Sequence, residues 1–205
     1  MKIRIRLPVL LPPRTQRLVR WSRRLLFATG IIALAYVGLT LLDARLYQVS
    51  AKHSLENQIR TSVGPTVSQV RPTVKEGDVL GRIDIPRLRV SVAVLQGTSS
   101  RMLRLGAGHI ETTPLPGDPG NSGIAGHRDT FFRELKEIHV NDEIQLQTAT
   151  GLFRYQVDWV KVVGSHDTSV LGASGAESTL TLVTCYPFYF VGPAPNRFVV
   201  HARKN

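Results

Sequence analysis

The chain has 205 residues, 42% of them hydrophobic, one cysteine and a formal net charge of +11. The charge is lopsided: eight Lys or Arg and no acid fall in residues 1–42, leaving 18 basic against 15 acidic residues, a net of +3, for the rest. This length suits one folded domain with appendages, a nearly neutral domain argues against a nucleic-acid partner, and a single thiol excludes an internal disulfide.

Residues 1–24 read as a basic cytoplasmic tail carrying Pro8, Pro12 and Pro13. Residues 25–42 (LLFATGIIALAYVGLTLL) are 18 uncharged positions. As a helix they would span about 27 Å, enough for a hydrocarbon core. Arg20, Arg23 and Arg24 precede them directly, which places the N-terminus in the cytoplasm and the following chain outside. No small-x-small cleavage site follows, so the expected element is a retained transmembrane signal anchor rather than a cleaved signal peptide. Residues 43–77 form the expected extracytoplasmic linker, in which Asp43–Ile59 can prolong the helix and Gly64, Pro65, Pro72 and Gly77 mark a tether.

Residues 78–205 change to short strands and turns. Leu80–Ile85 and Val90–Leu95 bracket the turn Pro86-Arg87-Leu88-Arg89, a strand–turn–strand pattern. A short helix capped by Ser99 or Ser100 is predicted to Leu105, then a loop at Thr112–Gly123, a short apolar strand at Ser122–Gly126 and a short helix at Thr130–Leu135. Strands follow at Glu143–Gln147 and Leu152–Val163, and Gly164–Gly175 is a long loop with a helical turn at Thr168–Leu171. In the run Thr179–Cys185, Leu180 and Leu182 fall on one face and Thr181, Val183 and Cys185 on the other, as a half-buried strand requires. After eleven intervening residues Arg197 opens the last strand, Phe198–Ala202. Seven or eight short strands with brief helices imply a mostly-β closed barrel.

Two adjacent antiparallel strands joined by this loop would set Cys185 beside Arg197 at one sheet edge. A thiol facing a guanidinium is a chemical arrangement, because positive charge favours the thiolate and the thiolate is the nucleophile. Tyr186, Phe188, Tyr189 and Phe190 crowd the intervening loop; they either wall a groove or cover the barrel end. No HExxH, CxxC, EF-hand or Gly-rich nucleotide pattern is present, and Glu111, Asp118, Glu143 and Asp158 are scattered, so neither a metal nor another cofactor is expected.

The strand ending Thr181-Leu182-Val183-Thr184-Cys185, with Arg197 a dozen residues on and Gly126-His127-Arg128 upstream, resembles the sortases, cysteine transpeptidases of the bacterial surface, in wording nearest their class D branch. The resemblance covers residues 81 to 205 and implies an eight-stranded β-barrel. It implies Cys185 as nucleophile, His127 as general acid and base, and Arg197 as oxyanion donor. It also implies a Leu-Pro-x-Thr-Gly-like sorting signal cleaved through a thioester, then joined to an amine of a cell-wall peptide, a lipid-linked precursor or a pilin lysine. Thr184, Tyr186, Val170 and Leu171 are the expected substrate contacts. His109, His166 and His201 are alternative cleft histidines by position, but only His127 matches the family motif. The localisation that follows is the bacterial cell membrane with the barrel outside. Two other functions compete: a thiol peptidase in which water resolves the thioester, and a non-catalytic membrane-anchored barrel that recruits a partner.

Overall fold

The computed structural model describes Trp21–Leu39, Leu42, residues 46–48, Ser50 and residues 74–205 apart from 173, 174 and 176. The rest of the expected tail and most of the expected tether lie outside the described residues. Two units are separable, 1–43 and 44–205. In the first, helix α1 (Trp21–Leu39) has 19 residues with a mean hydropathy of 1.3 and none of its span is buried by protein. Its described span takes in Arg23 and Arg24 ahead of the apolar run. By length and composition it can cross a membrane.

The second unit is a closed eight-stranded barrel, as the strand count predicts. Its strands are β1 (Val79–Ile85), β2 (Val90–Gln96), β3 (Ala107–His109), β4 (Gly120–Ala125), β5 (Glu143–Thr148), β6 (Gly151–Gly164), β7 (Ser178–Tyr186) and β8 (Asn196–Lys204). Their order around the barrel is β1-β2-β3-β4-β7-β8-β6-β5. Period-2 alternation fills the interior with Ile83 and Ile85, Ile144 and Leu146, Tyr155 and Val157, Leu180 and Leu182, and Val200 and Ala202, all 0–1% exposed. Each such large apolar side chain contributes about 1.5–3 kcal/mol on burial.

Two junctions differ from the sequence reading. Strand β3, in a stretch with no large apolar residue to mark a period, runs parallel to β2 and antiparallel to β4. The helix expected at Thr130–Leu135 is instead a turn followed by a 3-10 helix, Arg133–Glu137. The backbone bonds there link residues three apart, Arg133 to Thr130, Leu135 to Phe132 and Ile138 to Leu135. Phe132, Leu135 and Ile138 are all buried. A three-residue burial period suits 3-10 geometry, where side chains three apart line up on one face.

Part of the expected linker is docked on the barrel. The Gln48 side chain accepts from Ala93 N at 2.9 Å and donates to the Leu105 carbonyl, while the Tyr47 hydroxyl donates to Gly77 O at 3.3 Å. Tyr47 also packs against Leu95, Met102 and Leu105, a small apolar cluster beside the main core. Helix α2 (Ser100–Leu105) supplies two of those residues, and Ser99 caps it by accepting from Met102 N.

Candidate active site

The barrel order makes β7 the meeting line of three chemically interesting residues. Strand β4 runs parallel to β7, in register from Gly120↔Ser178 to Ala125↔Val183. Strand β8 runs antiparallel to β7 and pairs Arg197 directly with Cys185. Opposed residues of an antiparallel pair carry Cβ atoms about 4.5–5.5 Å apart on the same face. Counting two residues on from Ala125↔Val183 brings His127 level with Cys185. The C-terminal ends of two parallel strands and the start of their antiparallel neighbour therefore deliver His127, Cys185 and Arg197 to one rim.

The backbone beyond β4 is pinned at this rim. Gly126 N donates to Val183 O at 3.0 Å, Thr184 Oγ1 donates to Gly126 O at 2.7 Å, and Phe132 N donates to His127 O at 3.1 Å. Gly126 is required by contact: a Cβ there would meet the Phe132 ring at 2.5 Å, and Phe132 is fully buried. Thr184 is the β7 residue that holds this loop. It lies on the inward face of β7, 2% exposed, with its hydroxyl engaged by Gly126. It positions the His127 loop and does not face a cleft, because side chains alternate across a strand and Cys185 takes the outer face.

Cys185 is half-buried and is the free thiol of the chain. Arg197 directs Nη1 to two carbonyls of its own loop, Ala194 O at 3.1 Å and Asn196 O at 3.0 Å. Tyr186 shares the face of Thr184 and packs with Phe188 and Phe198, at ring separations of 6.2 and 6.3 Å. Phe188 and Phe198 in turn lean on the main core. The aromatic loop is therefore divided: Tyr186 and Phe188 close the barrel end, while Tyr189 and Phe190 are 87% and 41% exposed.

The outer face of β4 and β7 forms a floor that leads to the rim. Val170 and Leu171 lie over it on a 3-10 helix, Ser169–Leu171. Asn121 Nδ2 donates to Val170 O at 3.1 Å and Gly172 O at 3.2 Å, and Asn121 Oδ1 accepts from the buried Thr181 hydroxyl at 2.7 Å. Gly123 lets three side chains close directly on the strand: a Cβ there would lie 2.9 Å from Leu171 Cδ2, 3.1 Å from Ile110 Cδ1 and 3.2 Å from Thr113 Cγ2. The sequence reading placed no weight on Asn121, whose buried amide between three partners is invisible to periodicity.

The other histidines have different surroundings. His201 stacks on Trp159 at 4.9 Å and pairs through Nδ1 with Asp158 at 2.7 Å. His166 is exposed on the loop. His109 is 1% exposed, with Gln96 Oε1 at 2.9 Å from Nδ1 and Pro114 O at 2.9 Å from Nε2. The Pro114 carbonyl only accepts, so Nε2 carries a proton, while the Gln96 amide meets Nδ1 with its oxygen or its nitrogen according to how it is turned. Burial draws the His109 pKa below its usual value, against smaller raising effects from the Pro114 carbonyl and Glu111. Below about pH 6.5 the unfolded imidazole takes up a proton more readily than the folded one, so stability falls with falling pH. The melting temperature should drop between pH 7 and pH 5.5, and more steeply than in His109→Gln. Equal slopes in the two proteins would remove His109 as the cause.

Among the described residues no three His, Cys, Asp or Glu side chains gather as metal ligands would. Comparison with known proteins places the chain. The family model described as "Sortase domain" matches residues 83–205. Sortase D of Bacillus subtilis (strain 168) is 27% identical over 190 residues, which cover 87% of this chain and 95% of that protein. Among solved structures, a Clostridium perfringens sortase D5 transpeptidase superposes with a TM-score of 0.65 at 28% identity, covering 80% of this chain and 98% of its own. Clostridium perfringens sortase C, solved with the C-terminal cell wall sorting motif, gives a TM-score of 0.61 at 25% identity, covering 78% and 88%.

Proposed function

The chain belongs to the sortase family of transpeptidases, and from that premise we propose that it is a membrane-anchored enzyme working through a thioester on Cys185. The observation that carries the reading is the convergence at one rim, with Arg197 paired to Cys185 and His127 two residues past the Ala125↔Val183 pair. The Cys185 thiolate attacks the carbonyl carbon after the Thr of a Leu-Pro-x-Thr-Gly-like signal, giving a tetrahedral oxyanion. Arg197 is held by two loop carbonyls through Nη1, which fixes its plane and leaves the donors of Nε and Nη2 for that oxygen. Donors aimed at developing charge act most strongly where charge appears only in the transition state. The C–N bond then breaks, and His127 gives its proton to the departing amine. An incoming amine attacks the thioester, His127 takes the proton back, and the new amide leaves Cys185 free.

The acyl part of the signal lies along the floor of β4 and β7, beside the 3-10 turn of Val170 and Leu171, whose leucine packs on Gly123. The acceptor is an amine of the cell envelope. Helix α1 anchors the enzyme with its basic end in the cytoplasm, as the positive-inside rule requires. Protease added to spheroplasts should therefore digest the barrel and spare residues 1–20; a protected barrel would reverse the topology.

His127 as acid in one step and base in the next predicts a bell-shaped dependence of kcat/KM on pH. Its two limbs belong to the thiol and imidazole as a coupled pair. His127→Ala should lower the rate by about 10²–10⁴ and flatten both limbs. An active His127→Ala protein with a dead His166→Ala or His201→Ala would move the acid–base role elsewhere.

A further inference from the structure

Asn121 stands on β4, 2% exposed, with every polar atom of its amide engaged. Its Oδ1 accepts from the Thr181 hydroxyl at 2.7 Å, which turns Nδ2 toward the loop between β6 and β7. There Nδ2 donates to Val170 O at 3.1 Å and to Gly172 O at 3.2 Å. Carbonyls only accept, so the amide is satisfied in this orientation and not in the flipped one.

The two carbonyls it holds are left over by the 3-10 turn itself. The turn's own bonds run from Leu171 N to Thr168 O and from Gly172 N to Ser169 O. Asp167 Oδ1 closes its start, accepting from Ser169 N at 3.0 Å and from Ser169 Oγ at 2.6 Å. The turn is therefore complete within itself, and Asn121 attaches it as a unit to the floor of β4 and β7. Leu171, between the two held carbonyls, rests on the bare backbone of Gly123, where a Cβ would meet its Cδ2 at 2.9 Å. We infer that Asn121 is a positioning residue for the sorting signal. It fixes the height of the Val170–Leu171 wall above the floor before a peptide arrives, and the Thr181 hydroxyl fixes Asn121. A wall already in place selects an apolar side chain by fit, and no binding energy goes into ordering the loop. Without the amide, two carbonyls over a buried floor lose their donor, and the turn moves out to water.

This inference rests on the transpeptidase reading, and the test separates the two. The full-length protein in detergent micelles is mixed with rising concentrations of a Leu-Pro-x-Thr-Gly peptide, or of the same peptide with Ala for Leu. Acylation of Cys185 is followed by intact mass, which gives a half-saturating concentration and a limiting rate. In Asn121→Ala the half-saturating concentration of the Leu peptide should rise about tenfold, the size of one to two lost hydrogen bonds. The limiting rate should stay within about threefold, the pattern of lost binding with the chemistry kept. The preference for the Leu peptide over the Ala peptide should shrink toward unity. Thr181→Val keeps the shape without the hydroxyl and should move both quantities the same way by less; Thr181→Ser should restore them. An unchanged half-saturating concentration in Asn121→Ala overturns the inference. So does a loss equal for the two peptides, which would make Asn121 a support of the barrel alone. Should Asn121→Ala fail to fold, Thr181→Val against Thr181→Ser decides by the same quantities. A wild-type protein that forms no acyl-enzyme removes the transpeptidase reading and this inference with it.

Discussion

Cys185→Ala should abolish acyl-enzyme formation and transpeptidation while leaving the barrel intact. The thiol sits at the C-terminal end of β7, half-exposed and outside the packed interior. The neighbouring inward residues Leu182 and Thr184 hold the strand, the first in the core and the second through Gly126 O. Replacing a small side chain at such a site removes little packing, and surface changes of this kind usually shift stability by less than about 0.5 kcal/mol. The chemical loss is of another order, because the chain has one cysteine and the proposed covalent intermediate forms on its sulfur. Turnover in Cys185→Ala equal to wild type would remove the enzymatic reading altogether. A variant that loses both turnover and its cooperative melt would show instead that Cys185 is a packing residue.

Arg197→Lys should be slowed nearly as much as Arg197→Ala, by about 10²–10³. The reason is geometric. In the proposed mechanism Arg197 has two tasks at fixed angles, Nη1 on the carbonyls of Ala194 and Asn196 and the remaining donors toward the oxyanion. Lysine keeps the charge but loses the planar fork that joins the two tasks. Acylation and amine attack should slow alike, because each passes through a tetrahedral oxyanion. Alkylation of Cys185 by iodoacetamide builds no oxyanion and should change far less. If alkylation falls in parallel with transpeptidation in both variants, Arg197 acts on the thiolate and its oxyanion role must be withdrawn.

Much of this fold is legible in the sequence because alternation is a local signal. Ile144 and Leu146 against their polar neighbours reveal a strand because one face is buried and the other is not, whereas Leu180 and Leu182 against Thr179 and Thr181 reveal one by polarity, although both faces of β7 are buried there. Strand β3 escaped that logic. Ala107, Gly108 and His109 are all buried, and a strand covered on both faces by small residues has no period to detect. The Thr130–Leu135 stretch failed for a related reason, since a spacing of three at Phe132, Leu135 and Ile138 serves a 3-10 helix as well as an α-helix over so short a run.

The site divides along the same line. Cys185 and Arg197 could be paired from the strand–loop–strand spacing, whereas His127 entered only through its motif, because the parallel contact of β4 with β7 joins segments about 60 residues apart. Strand parity, also in the sequence, sets the side chains of Thr184 and Tyr186 on the face of β7 opposite Cys185, since both stand one residue from it. What no pattern announces is the buried Asn121 amide and the Arg128 guanidinium, whose partners are backbone carbonyls of distant loops. A carbonyl acceptor leaves no mark in the sequence, because every residue carries one.

The central claim is that an acyl group passes through Cys185 on its way to an amine. Intact-mass spectrometry of the full-length protein, mixed with a pool of Leu-Pro-x-Thr-Gly-type peptides and then with an amine, tests it most directly. The account predicts a mass gain equal to the peptide's acyl part, mapped to Cys185, absent in Cys185→Ala, and discharged by the amine into a new amide faster than water discharges it. Peptide cleavage without any adduct on Cys185, or an adduct that only water resolves, would contradict it.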